Sequence, residues 1–290
     1  MNALPFLLSL CCLAALSACP PEEAPREQNI GLSKDQNETA TAPQTTTVST
    51  SYWQVPQQKP ADPEVAAQVQ YGEKLVSQTH AYLSPSAPDP ALRVAGNHLA
   101  CKNCHLENGQ AANAAGFIGI DRRYPAYYAP LDKKITLSER IDACFQGSLN
   151  GTSLPTQERE ALTAYLTWLG SEVPDTAPLP MPEAGLPELS VDSTTGTGDA
   201  NAGESLYEYH CAACHGKTGL GLAMDPEDLS KGYTFPPLWG PDSHSKRSSL
   251  SQGLTLAKYI HQNMPLGRAV LTVPQSLDIA AYINAQERPE

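Results

Sequence analysis

Two pentapeptides, Cys101-Lys102-Asn103-Cys104-His105 and Cys211-Ala212-Ala213-Cys214-His215, constrain this 290-residue chain more than any other feature. Two thiols one helical turn apart can form thioethers to the two vinyl groups of a haem, and the histidine that follows can reach its iron. A zinc site or a thioredoxin-type dithiol can use the same CxxC spacing. A histidine directly after both second cysteines, an export-type N-terminus and the lack of alternating strand pattern beside either motif favour haem. Two copies then mean two covalently bound haem c groups.

The rest of the chain organises around those motifs. Residues 3–18 are an apolar run whose polar members are two serines, too short for a comfortable bilayer span and of the size of a secretory core. Leu16-Ser17-Ala18-Cys19 resembles the cleavage box of bacterial lipoproteins, so residues 1–18 are expected to be a signal peptide and Cys19 the lipidated first residue of an exported, membrane-anchored protein. Met1-Asn2 departs from that pattern in carrying no Lys or Arg. Residues 19–63, with QNETATAPQTTTVSTS at 36–51, hold too few aliphatics to order themselves and are expected to be a disordered tether. A second Pro-rich stretch, 173–197, reads as a semi-rigid connector between a domain at 64–172 and another at 198–290. No further apolar run of spanning length follows the first, so the remainder is expected to be soluble. The formal charge is −12 with no long basic run, which argues against nucleic acid as a partner and leaves a small electron-transfer protein possible.

The two halves repeat each other weakly. Gly72-Glu73-Lys74-Leu75 precedes the first motif, and Gly203-Glu204-Ser205-Leu206 precedes the second. Each half ends in an amphipathic segment: Leu162, Tyr165, Leu166 and Leu169 in one, Leu277, Tyr282 and Ile283 in the other. A glycine one turn into each N-terminal helix would let the C-terminal helix approach closely. The first half inserts a longer stretch between its glycine and its motif, expected to be a loop over one face. The fold class is therefore all-α, two helical domains.

The sixth position on each iron decides between electron transport and chemistry. In the second half Met264 is the candidate, with His261, His244 and Met224 as alternatives. In the first half no methionine or histidine lies between His105 and the connector. Cys144 is the cysteine left over there, either an axial thiolate or a small buried hydrophobe, with His80, His98, Lys133 and Lys134 as other ligand options. Thr136-Leu137-Ser138-Glu139 has capping-box form and predicts a helix from Leu137 that Gly147 or Gly151 can end. On that helix Arg140, Cys144 and Ser148 share a face, so a cation and a hydroxyl flank the thiol and can hold an anion. Residues 121–140 carry five cations, among them Arg122 and Arg123, against three anions.

Residues 101–120 (CKNCHLENGQAANAAGFIGI), 136–151 (TLSERIDACFQGSLNG) and 263–267 (NMPLG) together resemble the bacterial dihaem thiosulfate dehydrogenases, also described as tetrathionate reductases. The resemblance spans 64–290 and implies two cytochrome c-like domains. It implies His105 and Cys144 on a catalytic haem, His215 and Met264 on an electron-transfer haem, and Arg140 and Ser148 as substrate contacts beside a catalytic Cys144. Three departures stand out. The family's Arg-Ser-Met after the cysteine reads Gly147-Ser148-Leu149, an arginine expected near residues 128–131 is absent, and the lysine some members place before the distal methionine is Asn263. Lys133, Lys134 or Arg123 are candidates to supply the missing charge.

The implied reaction couples two thiosulfate anions to tetrathionate with release of two electrons, or its reverse. A soluble cytochrome c fits as electron partner. The competing readings are a non-catalytic dihaem electron-transfer cytochrome, a cysteine-ligated cytochrome subunit of a sulfur-oxidising complex, and a dihaem peroxidase. The last needs an open iron position that a bound Cys144 would deny.

Overall fold

In the computed structural model, residues 54–111, 113–177, 189 and 196–290 are described. The expected signal peptide, Cys19, most of the tether and most of the Pro-rich connector lie outside them. Residues 47–290 form one compact unit. Among the described residues, six helices of eleven residues or more carry the architecture: α1 (Pro63–Ser77), α2 (Leu137–Ser148), α3 (Thr156–Leu169), α4 (Ala200–His210), α5 (Gly253–Asn263) and α6 (Val273–Asn284). The all-α reading holds with a small addition, two antiparallel two-stranded ribbons: β1 (Ala126–Tyr128) with β2 (Lys133–Ile135), and β3 (Leu222–Ala223) with β4 (Tyr233–Phe235). No helix among the described residues is long and apolar enough to cross a membrane.

Local chemistry sets the helix starts. Asp62 accepts from the backbone N–H groups of Glu64 and Val65 at 2.8 and 3.2 Å, and Pro63, which has no N–H to leave unpaired, opens α1. Thr136 and Glu139 form the expected reciprocal capping box at α2. Thr272 and Gln275 do the same for α6. The end of α2 differs from the expectation: Gly147 stays inside the helix and is buried, and Asn150, at φ 54°, takes the left-handed turn that follows.

The internal repeat is a repeat of packing. In the first half α1 lies on α3, and a Cβ on Gly72 would fall 2.1 Å from the Ala161 carbonyl oxygen. In the second half α4 lies on α6, and a Cβ on Gly203 would fall 2.0 Å from the Asp278 carbonyl oxygen. Each glycine thus admits the backbone of the partner helix. Gly203 sits in the first turn of its helix as expected. Gly72 does not, because Asp62 starts α1 early and places the glycine in its third turn.

Each pair closes a hydrophobic cluster. One joins Val69, Leu75 and Val76 of α1 to Leu162, Tyr165 and Leu169 of α3 and to Ile141 and Phe145 of α2. The other joins Tyr207 of α4 to Leu256 and Ile260 of α5, Leu277 and Ile283 of α6, and Trp239. A small third cluster spans the halves, with Ala114 and Tyr259 buried at its centre and Leu106, Ala111 and Met264 packed around them. The insertion before the first motif contains the short helix Thr79–Leu83 and packs against the segment Leu229–Lys231 of the second half.

Candidate functional site

The backbone of each CxxCH motif is wound so that its histidine is aimed. The Cys101 carbonyl accepts from the His105 N–H at 2.9 Å, and the Cys211 carbonyl accepts from the His215 N–H at 2.9 Å. His105 Nδ1 lies 2.6 Å from the Ala115 carbonyl oxygen, and His215 Nδ1 lies 2.8 Å from the Pro236 carbonyl oxygen. A carbonyl can only accept, so Nδ1 carries the hydrogen in both rings and Nε2 keeps its lone pair, the tautomer a metal-ligating histidine needs. Burial holds both imidazoles in the neutral form, His105 most strongly, with a pKa lowered to about 4. Phe117 packs on the His105 ring at 4.2 Å between centroids. Cys101, Cys104, Cys211 and Cys214 are all free of disulfides, and burial pushes the Cys101 thiol up to about 11 and Cys104 to about 12. Among the described residues no three His, Cys, Asp or Glu side chains converge as a zinc ion would require. Pairs of free thiols with a following neutral, aimed imidazole fit covalent haem.

Cys144 comes to the first motif from α2. It lies close enough to Cys101 and Cys104 for its charge to raise both their pKa values. Arg140, one turn earlier, donates from Nη1 to the Cys144 sulfur at 2.7 Å. The neighbouring Cys144 sulfur is in turn the main cause that raises the Arg140 pKa, and the Arg140 charge adds to the lowering of His105. The guanidinium is stacked 5.2 Å from the centre of the Tyr128 ring and interacts with the Tyr124 hydroxyl. Tyr128 lies in the stretch 128–131 near which the resemblance expects a further arginine. Of the proposed substitutes, Lys133 is engaged at the N-terminal cap, its Nζ 2.9 Å from Glu139 Oε1, and Lys134 pairs in register with Tyr127 on the exposed hairpin. Arg123 comes nearer the site, since its charge is felt at Tyr124. Arg122 instead donates to the carbonyls of Asp175 and Ala177, tying down the start of the connector. Ser148, one turn beyond Cys144, is half-buried and shares a hydrogen bond of 3.0 Å with Ser248 of the second half.

Met264 follows the last turn of α5 and packs on the same cluster as Cys211 and Ala212. Of the alternatives, His261 has Nδ1 2.8 Å from the Leu271 carbonyl oxygen, which leaves its Nε2 with a lone pair, and the others are engaged or exposed. Met224 is 64% exposed, and His244 Nε2 faces the guanidinium of Arg288. His98 has both ring nitrogens engaged, Nδ1 with Asp242 at 3.0 Å and Nε2 with Ser86 at 2.9 Å. His80 packs against the backbone at Gly232. Asn263 donates to the carbonyls of Asn113 and Tyr259 at 2.9 and 3.0 Å, so its amide ties α5 to the first half. Sequence reasoning missed a direct link between the two motif regions: the buried Tyr259 hydroxyl donates to the Cys104 carbonyl at 2.8 Å. It also missed the loop 243–248, whose short polar residues carry no signal of what they touch.

Residues 198–283 match the family model "Cytochrome C oxidase, cbb3-type, subunit III", a cytochrome c domain whose cofactor is haem c. The chain is 36% identical over 244 residues to the thiosulfate dehydrogenase of Stutzerimonas stutzeri, covering 83% of this chain and 74% of that protein. It is 36% identical over 225 residues to the thiosulfate dehydrogenase of Allochromatium vinosum, covering 75% and 77%. The solved thiosulfate dehydrogenase TsdBA of Marichromatium purpuratum, in its as-isolated form, superposes with a TM-score of 0.72 at 34% identity over 87% of this chain. The chain spans about half of that longer chain, 52% of its length. With free CxxCH thiols, aimed histidines and relatives of this coverage, the chain belongs to the thiosulfate dehydrogenase family of oxidoreductases.

Proposed function

We propose that this protein joins two thiosulfate anions through their sulfane sulfurs into tetrathionate and releases two electrons, or runs the reverse reaction. The observation that carries the reading is the Arg140–Cys144 contact at 2.7 Å, placed beside the first CxxCH motif. Two haem c groups fit the chain, one on Cys101, Cys104 and His105 and one on Cys211, Cys214 and His215, and when bound they supply one-electron acceptors that match the stoichiometry. Cys144 and His105 would hold the iron of the first, and Met264 and His215 that of the second. Each half of the chain, 64–172 and 198–290, is then one cytochrome c-like domain.

The work of the protein residues follows from their chemistry. Thiosulfate is a dianion with its charge spread over sulfonate oxygens and a terminal sulfur. Arg140 is a fixed cation and Ser148 a hydroxyl donor on the same helix face, suited to the oxygens. Cys144 is left to meet the terminal sulfur as a nucleophilic thiolate. Tyr128 holds the guanidinium plane in place so that little reorganisation accompanies anion binding. Export and lipidation at Cys19 would tether the enzyme to a membrane surface, and a small electron-transfer protein such as a soluble cytochrome c would take up the electrons.

The test is thiosulfate-dependent reduction of ferricyanide by the purified holoprotein, with tetrathionate measured as product. Cys144→Gly, with both haems still attached, is expected to lose nearly all turnover. Absence of tetrathionate from the parent protein, or normal activity of the glycine variant, overturns the reading.

A further inference from the structure

The C-terminal end of the Cys144 helix is held by a loop from the other half of the chain. The Gly147 carbonyl accepts from the Ser245 N–H at 3.2 Å and from the Ser245 hydroxyl at 2.6 Å. The Gln146 carbonyl accepts from Arg247 Nη2 at 3.0 Å. Asn97 and Asn150 both donate to the Ser243 carbonyl, at 3.3 and 2.8 Å. Ser243, His244, Ser245 and Ser248 are all buried. The contacts to Gln146 and Gly147 satisfy helix carbonyls that have no partner within the helix. They also explain Gly147, where a Cβ would lie 3.2 Å from the Arg247 carbonyl oxygen and crowd the loop.

Where this loop meets the helix, the hydrogens of two hydroxyls can be assigned. Ser248 caps the short turn Ser249–Ser251, and its oxygen accepts from the Leu250 N–H at 3.4 Å. Among the described residues its other polar contact is the Ser148 hydroxyl, 3.0 Å away. A hydroxyl has one hydrogen, and a buried one left unused is costly. Ser248 is 4% exposed, so its hydrogen goes to the Ser148 oxygen. Ser148 then accepts from Ser248 and has its own hydrogen free to donate elsewhere, on the helix face it shares with Arg140 and Cys144.

We propose that Ser248, contributed by the second half, is a positioning residue of the anion site in the first half: it fixes Ser148 as a hydrogen-bond donor to an oxo-sulfur anion. This rests on the reading of Ser148 as a substrate contact. Ser248 touches no substrate itself. Without it the Ser148 hydroxyl is free to turn away and to present a lone pair to the anion.

The experiment compares Ser248→Ala, Ser148→Ala and the double variant as holoproteins of equal haem content and similar thermal midpoint. The KM for thiosulfate is read in the ferricyanide assay. The affinity for sulfate, a non-reacting oxo-sulfur anion, is read by titration calorimetry on the oxidised protein at fixed ionic strength. Loss of one aligned donor predicts that Ser248→Ala raises KM and weakens sulfate by about fivefold, with kcat changed less. Ser148→Ala weakens both by about tenfold, and the double variant is no weaker than Ser148→Ala alone. Ser248→Thr, which keeps the hydroxyl, restores much of the affinity. If Ser248→Ala yields no holoprotein, Ser248→Cys with its weak donor is used and should weaken sulfate in the same direction. Parental KM and sulfate affinity in Ser248→Ala or Ser248→Cys, additive effects in the double variant, or no sulfate binding by the parent overturns the proposal. A parent that binds sulfate but oxidises no thiosulfate sinks the functional reading and leaves the sulfate arm to decide the relay.

Discussion

Arg140→Gln is the perturbation that most directly probes the site, because the guanidinium does two jobs from one position. It donates to the Cys144 sulfur at 2.7 Å, and it is the cation nearest the thiol on that helix face. Glutamine keeps a comparable stem and an N–H donor but no charge. A charge-assisted hydrogen bond lost from a half-buried site costs about 1.5–3 kcal/mol. At about 1.4 kcal/mol per factor of ten, that is a drop of about 10- to 150-fold in kcat/KM for thiosulfate. Arg140→Lys should fall between, since the ammonium keeps the charge but neither the fork geometry nor the stacking on Tyr128. Steady-state thiosulfate oxidation with ferricyanide measures this, and the absorption spectrum of the oxidised holoprotein reports in parallel on the surroundings of the sulfur. Raising ionic strength should narrow the gap between parent and variant only partly, because the guanidinium is partly enclosed by the tyrosines. An unchanged kcat/KM in Arg140→Gln would refute the argument that this cation orders the anion.

The helix-crossing glycines give a stability prediction. Gly72→Ala forces a methyl onto the Ala161 carbonyl at 2.1 Å and onto the Tyr165 Cβ at 2.7 Å, neither of which is a flexible side-chain end, so the helices must part at a cost of about 1–3 kcal/mol or more. Gly253→Ala is the control: at the first position of α5 nothing lies within 4 Å of the added methyl, and unfolding should become harder by about 0.4–1 kcal/mol. Denaturant melts of the holoprotein check both, and equal effects at the two sites would contradict the packing account. His244 supplies a pH dependence. Burial and the neighbouring Arg288 lower its pKa from 6.5 to about 3 in the folded chain. The unfolded chain therefore binds a proton first, so stability is complete above about pH 6.5 and declines as pH falls toward 3. His244→Gln should flatten the thermal midpoint across that window, and an unaltered slope counts against it.

Much of this was legible before any coordinates, and for identifiable reasons. The CxxCH motifs, the Thr136–Glu139 capping box and the Gly72 and Gly203 crossings are local or periodic signals, written within a few residues of chain. Covalent chemistry, a capping hydrogen bond and a missing Cβ each need only the right residue at the right spacing. α1 starts about two turns earlier than the sequence suggests, because Asp62 and Pro63 lie in a stretch whose composition reads as tether.

What the tertiary structure alone decided are the relations between distant segments. Arg140 and Cys144 share a face by helical period, but the approach of Cys144 to Cys101 and Cys104 and of Arg140 to His105 depends on how α2 packs against the first motif. The contacts of Ser248 with Ser148 and of Tyr259 with Cys104 join residues one hundred or more positions apart. A serine or a tyrosine carries no mark of its distant partner, because such a bond is made by whichever polar group the packed helices bring within reach. The sequence by itself therefore determined which cofactor the chain can bind and which helix carries the thiol. The assembly of the two halves decided what surrounds that thiol, since only the folded backbone sets which carbonyls and hydroxyls are shut away from water and must find one another.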